Sequence, residues 1–246
     1  MESAVVRALL VRGMVAGVLA GLLAFGLAYW IGEPQVDAAI ALEETHAHAH
    51  GGQSHDEVEV VSRAVQSTAG LATAVLVYGV ALGGLAALVF AFLLGRVGAL
   101  TARATALLVA AGAFLTLHLV PWLKYPANPP GAGEAETLNH RTVLYFGMVA
   151  LSLLFGVGAV MLARWLAPRW GSWNAGIAAV AVFVAATALA FMLMPVIDEV
   201  PAEFPATVLW NFRLAALGIQ ALLWASFGAV FGFLAERALR PAALAP

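Results

Sequence analysis

Cysteine is absent from this 246-residue chain. That excludes a disulfide framework, a thiolate metal site and a cysteine nucleophile. Charge is scarce as well. Asp, Glu, Lys and Arg together make up 11% of the residues against 63% hydrophobic ones, and a soluble domain carries roughly twice that charged share. Lipid, unlike water, demands no charged surface, so the shortage points to a membrane protein. Lysine occurs once, as Lys124, with no glycine-rich loop before it, which excludes a nucleotide-driven engine. No Asp, Glu, Lys or His lies deep in an apolar run, so the usual side-chain proton relay is missing.

What is present is apolar and long. Six runs, at about 13–32, 72–94, 104–123, 143–163, 175–195 and 214–235, each approach the roughly 20 residues that cross a bilayer. The expected fold is all-α, a polytopic transmembrane helix bundle of about six spans forming a single membrane domain over residues 1–246. Arg7 and Arg12 precede the first run as they would a signal peptide. The run from Gly13 to Ile31 is longer than the roughly 7–15 residues of a signal core, and cleavage would leave five spans.

Alternating the spans sorts the cations. Arg7, Arg12, Arg96, Arg103, Arg164, Arg169, Arg237 and Arg240 fall on one side, and Arg63, Lys124, Arg141 and Arg213 on the other. The richer side is cytoplasmic by the positive-inside rule. Both termini are therefore expected inside, with connections near 33–71, 124–142 and 196–212 outside. Of the fourteen carboxylates only Glu2 and Glu236 fall inside. Every histidine lies in an outer connection except His118, about five residues from the outer end of span three. The bland account is that acids avoid the inner side and histidines follow by chance.

Small residues pack helices in lipid, where no hydrophobic drive brings them together. Gly13, Gly17 and Gly21 form a stripe in span one, Gly79 and Gly83 in span two, and Gly228 and Gly232 in span six. These are expected to be helix contacts, within the chain or with a second subunit.

The first outer connection, 33–71, reads Glu43-Glu44-Thr45-His46-Ala47-His48-Ala49-His50-Gly51-Gly52-Gln53-Ser54-His55-Asp56-Glu57. Neutral imidazole is the commonest protein ligand for divalent transition metals. Extended, the segment sets His46, His48 and His50 on one edge; as a helix it pairs only His46 with His50. The glycine pair is expected to keep the tract mobile and suited to capture. Imidazole ligands do not choose among copper, cobalt, nickel and zinc. A compositional tract or an acid-sensing segment is the alternative. Downstream, Glu59 and Arg63 stand four apart, so span two is expected to begin as an exposed helix.

Span three ends in His118-Leu119-Val120-Pro121-Trp122-Leu123-Lys124-Tyr125-Pro126-Ala127-Asn128-Pro129-Pro130. An ionisable residue within a span is a functional candidate by default, against the plainer reading of a neutral histidine bonded to a neighbouring helix. Pro121 loosens the helix and could free a carbonyl near His118. Trp122 and Tyr125 are expected as interfacial anchors, and the stiff turn holds Lys124 and Asn128 in place. After span five, Asp198, Glu199 and Glu203 form an acidic run bracketed by prolines. Met192 and Met194 point to different faces and suit packing better than a thioether pair. Arg213, opening span six, is expected to meet an outer carboxylate.

The run from Val120 to Pro130, most specifically its Pro121-Trp122-Leu123-Lys124-Tyr125-Pro126 stretch, resembles a hallmark of the CbtA-type predicted cobalt transporter subunits. So do the His-rich first loop, Arg141-Thr142, Pro201 to Pro205 with Phe204, and Leu209-Trp210 with Phe212-Arg213-Leu214. The resemblance runs in order along essentially the whole chain. It implies cobalt uptake for cobalamin synthesis across a bacterial cytoplasmic membrane, alongside a small one-span partner bearing histidines. It carries over no metal ligands.

Two function classes remain. In the first, the chain is a metal-uptake subunit: His46, His48, His50 and His55 capture Co²⁺ and pass it to a mouth of His118, His140, Asp198, Glu199 and Glu203. In the second it is a receptor or assembly subunit that binds metal without moving it. A haem-bearing subunit lacks paired histidines across helices, and no hydrolase motif lies in a span. The chain is expected to be no enzyme, to keep no permanent cofactor and to bind no nucleic acid. Its expected partners are lipid, the divalent ion and the small subunit.

Overall fold

A computed structural model describes residues 3–49, 61–133 and 135–239, and every regular element among the described residues is helical. α1 (Ser3–Leu27) runs through a π-helical turn, Ala28–Gly32, into α2 (Glu33–Ala49). α3 (Arg63–Val65) leads through a second π turn, Gln66–Gly70, into α4 (Leu71–Leu93). α5 (Ala102–Ala113) passes through a third, Phe114–Leu119, into α6 (Val120–Lys124). α7 (Leu138–Leu193) and α8 (Ala206–Leu239) complete the order.

Among the described residues five continuous stretches are long and apolar enough to cross a membrane: Ser3–Thr45, Arg63–Leu93, Ala102–Lys124, Leu138–Leu193 and Ala206–Leu239. The expected fourth and fifth spans share one of them. At 56 residues α7 would reach about 84 Å if straight, far more than a bilayer. It is not straight. Gly171, at φ 74° and ψ 157°, is non-helical and divides α7 into two helices, with Pro168 just before the break. The halves fold back together. A side chain at Gly147 would meet Met194 Cε at 3.8 Å, and Met148, Ala190, Tyr145, Phe183 and Phe191 share one apolar cluster.

The chain forms two compact units, one of the described residues within 1–111, 128–131 and 204–246, the other of those within 112–127 and 132–203. In the first, α1 and α4 run antiparallel through their glycines. A Cβ on Gly79 would lie 2.5 Å from Gly17 O, and one on Gly83 3.0 Å from Gly17 Cα. The stripes of spans one and two therefore meet each other within the chain. α8 packs on α1 as well, and its Phe231 meets Phe90 edge-on at 5.1 Å. The third stripe faces α5, where a Cβ on Gly228 would come within 2.8 Å of Ala110 Cβ. Arg103 on α5 pairs with Glu236 on α8.

Large apolar side chains point outward. Val143, Phe146, Leu154 and Met161 are all more than half exposed, as are Trp30 and Trp173. Water would penalise such a surface and lipid does not, so the chain is a multi-pass membrane protein.

Candidate functional site

The end of the third membrane stretch is built around a missing donor. In an α-helix each N–H reaches back four residues. Through the π turn Phe114–Leu119 it reaches further, and Val120 N–H bonds to Leu115 O. The next donor in that register would serve Thr116 O, but it falls on Pro121, which has no N–H. Ser152, fully buried on α7, fills the gap by donating its hydroxyl to Thr116 O. The carbonyl that Pro121 frees is thus taken up by a neighbouring helix.

His118 lies within this turn. Its ring stacks on Phe114, with centroids 6.1 Å apart and planes at 27°. Its Nε2 is buried without a hydrogen-bond partner, and so is Trp122 Nε1 one helical turn on. The neutral histidine bonded to a neighbouring helix, the plainer expectation, finds no such bond at Nε2. π turns interrupt helices often at functional positions, because the extra residue redirects the side chains beyond it.

Just beyond, the chain is tied down. Lys124 Nζ donates to Phe191 O and Tyr125 Oη to Pro195 O, each at 2.8 Å. Tyr125 is 8% exposed, so it is a buried strut and not the interfacial anchor expected. Burial raises its phenol above the ordinary value. In the other unit Arg213 Nη2 donates to Asn128 Oδ1 at 2.8 Å, giving that arginine an amide oxygen as a partner. Met194 packs in the apolar cluster, while Met192 is 83% exposed, so the two differ in face and the expected packing holds for Met194 alone.

The acidic run is divided in surroundings. Glu199 accepts from Thr137 Oγ1 at 2.8 Å and pairs with Arg141 Nε at 3.3 Å. Asp198, Glu203 and His140 are exposed.

Of the histidine tract, His46 and His48 fall within α2. His50 and His55 lie outside the described residues, as does Glu59, the expected helix partner of Arg63. Arg63 binds across the first connection, to Glu33 and to Asp37 at 3.0 Å. Much of the expected loop 33–71 is thus helix, braced at its base.

Among the described residues no three of His, Asp and Glu converge as a metal site. Ser152 and Thr137 are the contributors that residue-type reasoning passes over. The signal for Ser152 is the donor that Pro121 lacks; for Thr137 there is none in the sequence.

A family model described as "Probable cobalt transporter subunit (CbtA)" matches residues 6–236. No curated protein and no solved structure matches the chain.

Proposed function

The chain belongs to the CbtA family of probable cobalt transporter subunits, and from that premise we propose that it captures Co²⁺ outside the cell and hands it to a mouth in its own bundle. The family match along residues 6–236 carries this reading. A subunit implies partners. We take one to be a small single-span protein bearing histidines, which would complete a ligand set that the described residues do not complete alone.

In this scheme His46, His48, His50 and His55 collect the ion, with Glu43 and Glu44 raising its local concentration. Asp198 and Glu203 are exposed carboxylates for the next step. His140 and Glu199 belong to the same end of the hairpin, although Glu199 is already engaged by Arg141. His118 offers a buried nitrogen with no partner, the chemistry an imidazole ligand requires. The arginine sorting supports cytoplasmic termini in a bacterial inner membrane. The cobalt so gained serves cobalamin synthesis. No catalytic step is assigned to any residue.

Deleting residues 46–55 is expected to weaken cobalt accumulation at limiting cobalt, with recovery at high cobalt. His118→Ala is expected to lower uptake at every concentration. Unchanged uptake in the deletion removes the capture role. Running nickel and zinc in parallel identifies the metal, which imidazole ligands alone do not select.

One observation favours a second reading. Because no three ligands converge among the described residues, the chain suits equally a receptor or assembly subunit that holds metal without moving it. Purified protein in liposomes, with and without the small partner, separates the two. Binding without flux in both cases favours the receptor.

A further inference from the structure

The backbone defect at Pro121 and the unpartnered imidazole at His118 sit in one helical turn, and a single side chain from another helix holds that turn. We propose that Ser152 is a positioning residue for His118: its hydroxyl replaces the backbone donor that Pro121 lacks and fixes the π turn that aims the imidazole. The functional weight of this inference rests on the reading of His118 as a path residue.

Ser152 and Thr116 are 0% and 6% exposed, so water is poorly placed to serve Thr116 O in place of the hydroxyl. A buried carbonyl left without a donor is costly, which gives Ser152 its leverage. The same hydroxyl lies 3.0 Å from Val149 O on its own helix, a local contact that would satisfy Ser152 but not Thr116. Two further features border the turn. Thr116 Oγ1 donates back to Gly112 O at 2.8 Å, and a Cβ at Gly156 would press to 2.9 Å from the Thr116 methyl. Gly156 is one turn from Ser152 on α7, so one face of that helix both bonds the turn and makes room for it.

The link to His118 is geometric. Phe114 and His118, the two stacked rings, are both members of the π turn. Relaxing a π turn to α geometry removes about one residue's worth of winding and rotates the downstream residues by about 100°. Without the Ser152 bond the turn loses the contact that favours the wider winding. Nothing else bonded to Nε2 holds the ring. Its bearing depends on the backbone and on the Phe114 stack.

The test uses the full chain in lipid nanodiscs and reads His118 directly, by its rate of carbethoxylation with diethylpyrocarbonate measured on its peptide by mass spectrometry. The His140 peptide serves as the internal reference. Ser152→Ala is expected to change the His118 rate by about three- to tenfold, the range set by one hydrogen bond's net worth. Pro121→Ala restores a backbone N–H that can serve Thr116 O, so the double variant S152A/P121A is expected to match P121A alone. An unchanged rate in S152A overturns the proposal, and so does an S152A effect that persists undiminished in the P121A background. If S152A alone fails to fold, the comparison of P121A with S152A/P121A decides, since both are expected to fold and to label alike. Cobalt uptake by His118→Ala is scored separately. Normal uptake there overturns the path reading and leaves the positioning to be judged by labelling alone.

Discussion

Lys124 Nζ donates to the carbonyl oxygen of Phe191 at 2.8 Å, joining positions 67 residues apart. Phe191 stands in the last turn of α7, where carbonyls have no partner within the helix and a cation is favoured by the helix dipole. Tyr125 adds a second tie to Pro195 O. Lys124→Met is expected to destabilise the chain by about 1–3 kcal/mol and Tyr125→Phe by about 1 kcal/mol. Because both stitch the same two segments, the double variant should depart from additivity. Thermal unfolding in detergent reads all three. A Lys124→Met variant as stable as the parent would show that the bond is incidental.

The glycine contacts of α1 and α4 give a prediction with a built-in control. A side chain at Gly17 would lie 2.8 Å from the Gly79 carbonyl carbon, and backbone cannot yield as a flexible side chain can. Gly17→Val is therefore expected to push the helices apart and cost about 1–3 kcal/mol or more, seen as loss of monodisperse protein after extraction. Gly26 lies on the same helix system with nothing within 4 Å. Gly26→Ala should leave yield and stability unchanged.

Gly171 tests conformation apart from packing. No atom lies within 4 Å of a Cβ placed there, so steric crowding is not at issue. Its φ of 74° with ψ of 157° belongs to a region that only glycine enters readily, and a side chain there costs about 1–3 kcal/mol. Gly171→Ala is expected to destabilise the hairpin and to favour a continuous helix, which cannot keep Gly147 against Met194. Gly176→Ala, in helical geometry with the same open surroundings, should be neutral or stabilising by up to about 1 kcal/mol. Equal effects of the two would refute the conformational account.

Much of this architecture is legible in the sequence because lipid imposes few choices. Apolar length locates the spans, and the four-residue spacing of Gly13, Gly17, Gly79 and Gly83 marks close contacts, though only the structure pairs Gly17 with Gly79. The division of α7 is visible as the gap between two apolar runs around Gly171. Polar partners are harder. Tyr125 has an amphipathic side chain that suits a membrane edge, and its hydrogen-bond partner is the carbonyl of Pro195, 70 residues away. Ser152 reads as an isolated hydroxyl because its partner is a backbone carbonyl, which no residue type announces. The start of the histidine tract reads as a loop because of its polarity, yet α2 carries the chain helically as far as Ala49, and the Arg63 bridge that braces its base is a pairing across the connection, outside the reach of local spacing.

The acidic run after span five holds one engaged carboxylate, Glu199, and two exposed ones, Asp198 and Glu203. Glu199 is held by Thr137 and Arg141, and its side chain is only 16% exposed. Glu199→Gln should thus act first on stability: it weakens the pairing of the Arg141 guanidinium and lowers the unfolding temperature. Asp198 and Glu203 are exposed. Their attraction for a divalent ion is long-ranged and screened by salt over about 8–10 Å near physiological ionic strength. The double variant D198N/E203Q is expected to raise the half-saturating cobalt concentration a few-fold at low ionic strength while leaving the maximal rate and the unfolding temperature intact. Raising salt should erase that difference, since screening removes from the parent what the substitutions removed from the variant. A half-saturation shift in Glu199→Gln without loss of stability, or a D198N/E203Q shift indifferent to salt, would instead mean that these carboxylates touch the ion directly.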